Sequence, residues 1–215
     1  MKEICGLVKM KKGEDLDIEK IPQDDKKTMD LFRSGHTGDI LLFNSNGMKM
    51  LLQDFNPTCF EDLTFLNCMY RPGSMDDIAL VIKQKTNKKS IEYIIPCMES
   101  VLHNTYGIIV YQEQIMEISR LIADFSRSES ALLRMAVGMF KKEMLPTLRN
   151  QFIRGGMKNG YSKAALKKLW NEIENKGRCA FNKSHSVCYT WLAYQMAYLK
   201  ANYSKEFAQV MEKYH

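Results

Sequence analysis

The chain contains no apolar run approaching the roughly 20 residues needed to span a bilayer, and residues 1–12 lack the apolar stretch of a signal peptide. Both absences lead to the expectation of a cytoplasmic protein with no membrane partner. The six cysteines, at positions 5, 59, 68, 97, 179 and 188, include no C-x-x-C pair and no nearby histidine in a ligand pattern. They read as small buried hydrophobes of a reducing compartment, and no metal site is expected. A G-x-x-x-x-G-K-[ST] phosphate loop, a G-x-G-x-x-G turn and a nucleophile elbow are also missing. The acidic pairs Asp24-Asp25, Glu61-Asp62 and Asp76-Asp77 stand near predicted helix starts, where stabilising the positive end of the helix explains them. None resembles the spaced carboxylates that hold two catalytic metal ions, so no catalytic residue is assigned.

What is present is a chain of 215 residues, 45% hydrophobic and 26% charged, long enough for one large or two small domains with a real core. Its charge is unevenly divided. Residues 1–107 hold 14 Lys/Arg against 16 Asp/Glu, whereas residues 108–215 hold 17 against 9. Within 134–183 the count is 12 basic to 3 acidic. Such a surplus is either the footprint of a polyanion or a solvated basic face.

Helical signals dominate. Asp24 to Arg33 carries acids first and a base last, with Gly35 as a stop. Asn46 and Thr58 read as caps opening two short helices, separated by Pro57. Ile115, Ile118, Leu121, Ile122 and Phe125 recur at three- and four-residue steps, predicting an amphipathic helix over 111–125. Further helices are predicted at 128–142, 143–154, 162–175, 184–202 and 204–213, bounded by Gly155-Gly156, Gly160 and Gly177. Gly38–Phe43 and Gly107–Tyr111 are the best strand candidates, and Lys83–Ser90 reads as a surface loop. The fold class is mainly α, multi-helical, with at most a few short strands.

Four constellations bear on chemistry. In Phe181-Asn182-Lys183-Ser184-His185 a cation, two small hydrogen-bonding side chains and an imidazole meet where a helix should start. Free N–H groups there suit a phosphate, while Asn182 and Ser184 serve equally as ordinary caps. Tyr70-Arg71-Pro72-Gly73 forces a turn that presents Arg71 to a phosphate or carboxylate, or simply to solvent. Tyr111-Gln112-Glu113-Gln114 offers hydrogen bonds to a base, a phosphate or neighbouring helices. Arg134 and Lys141, seven residues apart and followed by Lys142, would share a helix face with a span of about 10 Å, with Gly138 leaving room between them.

Taken in order, Ile21–Thr28, Gly47-Met48, Phe60-Glu61-Asp62-Leu63, Tyr70–Gly73, Thr105-Tyr106-Gly107, Tyr111–Gln114, Leu133-Arg134, Phe181–His185 and Tyr198–Ala201 resemble the bacterial DNA polymerase III α subunit. The resemblance runs from about residue 18 to 210 of this chain. It implies a palm-to-fingers connecting segment over 1–60 and a helical fingers domain over 61–215, able to be one continuous unit. By the same resemblance the fingers help bind the incoming deoxynucleoside triphosphate (dNTP) and primer-template DNA for a DNA-directed DNA polymerase, a nucleotidyltransferase of DNA replication. The implied contacts are Arg71, Gln112, Gln114, Arg134, Lys141, Lys142, Asn182, Lys183, Ser184 and His185. The implied partners are the palm and thumb of the polymerase and other replisome subunits. Mg²⁺ is implied for the parent polymerase, whose catalytic aspartates belong to the palm, so this chain alone is expected to be inactive.

The chain departs from the family pattern in places. Met135 stands where a second basic residue is usual, Ala136-Val137-Gly138-Met139-Phe140 replaces an A-M-G-K-K run, and Asn44 and Ser74 replace a glutamate and a proline. A non-catalytic nucleic-acid-binding module, or a degenerate polymerase-like protein, therefore stands beside the polymerase fingers as a reading.

Overall fold

Side chains that catch the free N–H groups of a first helical turn decide where many of the helices begin. The computed structural model describes residues 1–87 and 91–214, and among these there are twelve α-helices and no strand. The Asp25 carboxylate accepts from Thr28 N at 2.9 Å and Thr28 Oγ1 at 2.7 Å, opening α2 (Lys26–Arg33). Ser45, rather than the predicted Asn46, opens α3 (Asn46–Phe55) by accepting from Met48 N. At α4 (Phe60–Met69) the expected roles are exchanged: Thr58 donates its N–H and hydroxyl to the buried Asp62 carboxylate at 2.7 and 2.9 Å.

The chain divides into two compact units, Met1–Asn67 with His185–His215, and Cys68–Ser184. This grouping is by packing and differs from a division at residue 60 along the chain. The first unit contains α1 (Lys2–Lys12), α2, α3, most of α4, most of α11 (Lys183–Asn202) and α12 (Ser204–Met211). Its core is aromatic: Phe32 meets Phe43 edge-on at 5.1 Å, and Tyr194 stacks on Trp191 at 5.9 Å while Phe60 stands edge-on to both. The Tyr194 hydroxyl donates to Pro22 O at 3.0 Å and accepts from Asp25 N at 3.1 Å. Burial, with the charges of Asp25 and Asp24 nearby, pushes this phenol up to about 12. Deeper along α11, Asn67 Nδ2 donates to Ser186 Oγ at 3.2 Å, and Ser186 Oγ donates to Thr64 O at 3.0 Å, so buried polar groups there are satisfied in a chain.

The second unit contains α5 (Ile78–Thr86), α6 (Glu99–Leu102), α7 (Gln112–Ala123), α8 (Arg127–Gly138), α9 (Leu145–Lys158) and α10 (Lys163–Gly177). Of the predicted stripe, Ile115, Ile118 and Ile122 form the core face of α7, packed with Leu133, Phe152, Leu169 and Trp170, and Phe125 joins them from beyond the helix end, whereas Leu121 is 41% exposed and lies off that face. Gly155 and Gly156 do not end a helix; both lie inside α9. A side chain at Gly155 would collide with the Ala123 carbonyl oxygen, and one at Gly156 with Leu166, so the two glycines let helices approach closely.

The two strand candidates are corrected. Gly38–Phe43 is a succession of turns, with Asp39 and Leu42 at φ of 64° and 65°, which breaks the extended pleat. Of Gly107–Tyr111 only Tyr111 makes a bridge, an isolated parallel one to Phe181. The start of the predicted loop 83–90 belongs to α5, which runs to Thr86; its residues 88–90 lie outside the described residues. The predicted helix 128–142 stops at Gly138. Phe140, at φ of 50°, turns the chain out of the helix, and Lys141 N reaches back to Ala136 O at 2.9 Å. Arg134 and Lys141 therefore do not share a helix face, and the two-turn phosphate ladder drawn from their spacing is absent.

Candidate nucleotide and nucleic-acid face

In the second unit, two segments some 70 residues apart in sequence are stitched together. Phe181 N donates to Val110 O at 2.8 Å, and Gln112 N donates to Phe181 O at 2.9 Å. This pairing fixes the start of α7 against the segment that leads into α11, and the candidate residues gather on it.

Gln112 bridges the join. Its Nε2 donates to Ala180 O at 3.1 Å, and its Oε1 accepts from Arg134 Nη1 at 3.0 Å. Arg134 reaches the site from the middle of α8 and is half-buried, so one edge of the guanidinium is held while the other N–H groups remain as donors. Arg71 arrives from the turn that Pro72-Gly73 makes. Its carbonyl accepts from Ser74 N and Met75 N at 3.1 and 3.2 Å, and Gly73 takes a φ of 85°. A side chain at Gly73 would lie 2.7 Å from Cys179 Sγ, so the glycine is needed for that close approach as well as for the turn. The Arg71 guanidinium rests over the Phe181 ring, 3.5 Å from its centroid.

Lys183 is the first residue of α11 and is exposed. Its ammonium lies 5.5 Å from the centroid of the buried Tyr111 ring. The helix start is not an open anion site, however: Lys183 N donates to both carboxylate oxygens of Glu113, at 3.1 and 3.0 Å. Glu113 thus fills the role a phosphate would have taken at this N–H, favourably placed against the positive end of the helix. Three cations, Arg71, Arg134 and Lys183, stand around the join with this one carboxylate among them.

Gln114, one of the expected contacts, is an internal strut. It is 5% exposed; its Oε1 accepts from Val110 N and Tyr111 N, both at 2.9 Å, and its Nε2 donates to Val101 O and Thr105 Oγ1 at 3.2 and 2.8 Å. Every hydrogen-bonding position of the amide is used within the fold, so it shapes the join. Asn182 and Ser184 are neighbours of Lys183 in the chain, and both are exposed. His185 falls in the first unit, where its ring centroid lies 4.5 Å from that of Tyr189. Lys141 is exposed beyond the end of α8, and Lys142 lies with Phe140, its ammonium 5.0 Å from that ring's centroid, instead of on a face with Arg134.

Glu113 as the cap of α11 is not legible in the sequence. The signal is out of reach, because a capping pattern is local and Glu113 is 70 positions from Lys183. Among the described residues no three His, Cys, Asp or Glu side chains stand together in a way that would hold a metal ion. No described helix is long and apolar enough to cross a membrane.

Comparison with known proteins gives one family. The model of the bacterial DNA polymerase III alpha subunit finger domain matches residues 1–160. The DNA polymerase III subunit alpha of Aquifex aeolicus is 39% identical over 212 residues, covering 98% of this chain and 18% of that protein. That of Halalkalibacterium halodurans is 40% identical over 195 residues, covering 91% and 18%. That of Borreliella burgdorferi is 38% identical over 224 residues, covering 95% and 20%. The chain spans about a fifth of the length of these curated relatives.

Proposed function

Since the chain belongs to the finger-domain family of the bacterial DNA polymerase III alpha subunit, we propose that it serves a DNA-directed DNA polymerase by helping to bind the incoming dNTP and template DNA. The observation that carries this reading is the join of α7 to the start of α11, around which Arg71, Arg134 and Lys183 are gathered. Each cation is held by a neighbour that leaves donors to spare: Arg71 by a ring, Arg134 by one amide, Lys183 by the face of Tyr111. Preorganised cations of this kind neutralise the charge that a triphosphate brings, without rearranging when it arrives. Gln112 orients Arg134, and Asn182 and Ser184 add short hydrogen-bonding groups at the rim.

Phosphoryl transfer in such a polymerase also needs a carboxylate-bound Mg²⁺ pair to activate the primer hydroxyl and the leaving group. The described residues of this chain supply no such donor set, so its role is positioning and charge neutralisation. Alone it should bind and not catalyse. The test is a titration of labelled primer-template DNA at two salt concentrations, with primer extension run in parallel. Binding that weakens steeply with salt, and no extension, is the expected pair of results. Extension by the purified chain would overturn the positioning role, and no binding at low salt would favour the degenerate, protein-binding reading.

A further inference from the structure

Phe140 holds a left-handed backbone, φ 50°, just beyond the end of α8, a place where glycine is usual and a bulky side chain is an outlier. Its ring is not buried to compensate: the residue is 41% exposed. What surrounds it is cationic. The Arg178 guanidinium lies 4.0 Å from the ring centroid and the Lys142 ammonium 5.0 Å. The three residues line a surface recess of about 450 Å³ together with Pro146, Arg149 and Glu174. Three cations face one carboxylate there. A left-handed position that glycine would fill without cost is here given to an exposed aromatic ring kept among cations, the kind of outlier that points to use.

The chemistry of the recess narrows its ligand. A ring and a guanidinium plane in contact make a surface on which a heterocyclic base can lie, and Lys142 and Arg149 supply positive charge for the phosphates on either side. Duplex DNA keeps its bases stacked and would leave the ring unused; a single strand offers both an open base face and backbone charge. We propose that Phe140 and Arg178, with Lys142 and Arg149, form a platform for single-stranded DNA. The choice of DNA as the polyanion rests on the polymerase-finger reading; the platform residues are different ones from Arg71, Arg134 and Lys183 at the join.

The test uses the whole chain and fluorescence anisotropy with a labelled oligothymidylate of about 12 nucleotides and its abasic counterpart, the length being that of a single-strand site. The wild type should bind the base-bearing strand about tenfold more tightly, the effect of one base–aromatic stack. Phe140→Gly suits the left-handed backbone and should melt no lower than the wild type. It should lose that tenfold preference while leaving the affinity for the abasic strand unchanged. Lys142→Glu should weaken both strands alike. Equal affinity of the wild type for the two strands, or a Phe140→Gly variant that keeps the preference, would overturn the platform. Blunt duplex DNA, which has no open base face, should bind Phe140→Gly as it binds the wild type, and the finger reading is tested separately through Arg134 and Lys183, so failure of the platform is separable from failure of the finger reading.

Discussion

At the scale of single residues, the polar groups that shape the candidate face most are those turned inward. Gln114 satisfies two backbone donors, a carbonyl and a hydroxyl at once, all from within its own unit. Gln114→Leu keeps the volume but strands the buried donors Val110 N and Tyr111 N, and should lower the unfolding free energy by about 3 kcal/mol in urea denaturation. A change below about 0.5 kcal/mol would show that water replaces the amide readily. Tyr194 gives a check that needs no mutation. Its folded-state phenol is pushed up to about 12 by burial, against about 10 in an unfolded chain. The neutral form is therefore the one the fold favours: this contribution is complete below about pH 10 and is lost as pH rises through about 12. Absorbance of ionised tyrosine should rise late, together with loss of helical circular dichroism in that window, and a full titration near the ordinary phenol value with the fold intact would contradict the burial.

At the scale of elements, the helices are legible in the sequence and some of their ends are not. The stripe Ile115, Ile118, Ile122 is a direct consequence of helical periodicity, and its burial follows from it. Local chemistry does not tell a stop from a close approach, so Gly155-Gly156, which reads as a boundary, is an interior packing surface. Gly155→Ala should destabilise the protein by about 1–3 kcal/mol, since the new methyl group meets the fixed Ala123 carbonyl. In the other direction, the sequence predicts α8 too long because Phe140 is a residue from which no left-handed turn is expected. The helix over Lys2–Lys12 has no clear signal, its buried face being only Ile4 and Val8 among lysines. The same limit applies to the site: Arg71, Arg134 and Lys183 are visible as cations near turns and helix starts, but the Phe181–Val110 pairing that assembles them is non-local. Glu113→Gln follows from that pairing. It removes the carboxylate from the start of α11 and should weaken that helix end by about 0.5–1 kcal/mol. It should also tighten triphosphate or DNA binding several-fold by taking a negative charge out of the face; weaker binding would mean that Glu113 organises the site more than it repels the ligand.

At the scale of the whole molecule, a near-neutral N-terminal half is joined to a strongly basic C-terminal one. Of the features legible in the sequence, this asymmetry and the ordered motifs reach furthest, because charge and family pattern survive whatever the helix ends do. The basic surplus alone does not distinguish a solvated face from a working one. The distinction lies in whether the cations around the join act together on one anion. The most direct measurement is the salt dependence of primer-template binding for the wild type and for Arg134→Gln with Lys183→Gln, each confirmed by circular dichroism to be folded. Arg134→Gln keeps a donor for Gln112 and removes only the charge. The double variant should bind at least about tenfold more weakly at low salt, and its slope of log affinity against log salt should be shallower by about two, one for each phosphate no longer neutralised. Affinity and slope equal to those of the wild type would contradict the placement of the phosphate-binding face at the join of α7 and α11.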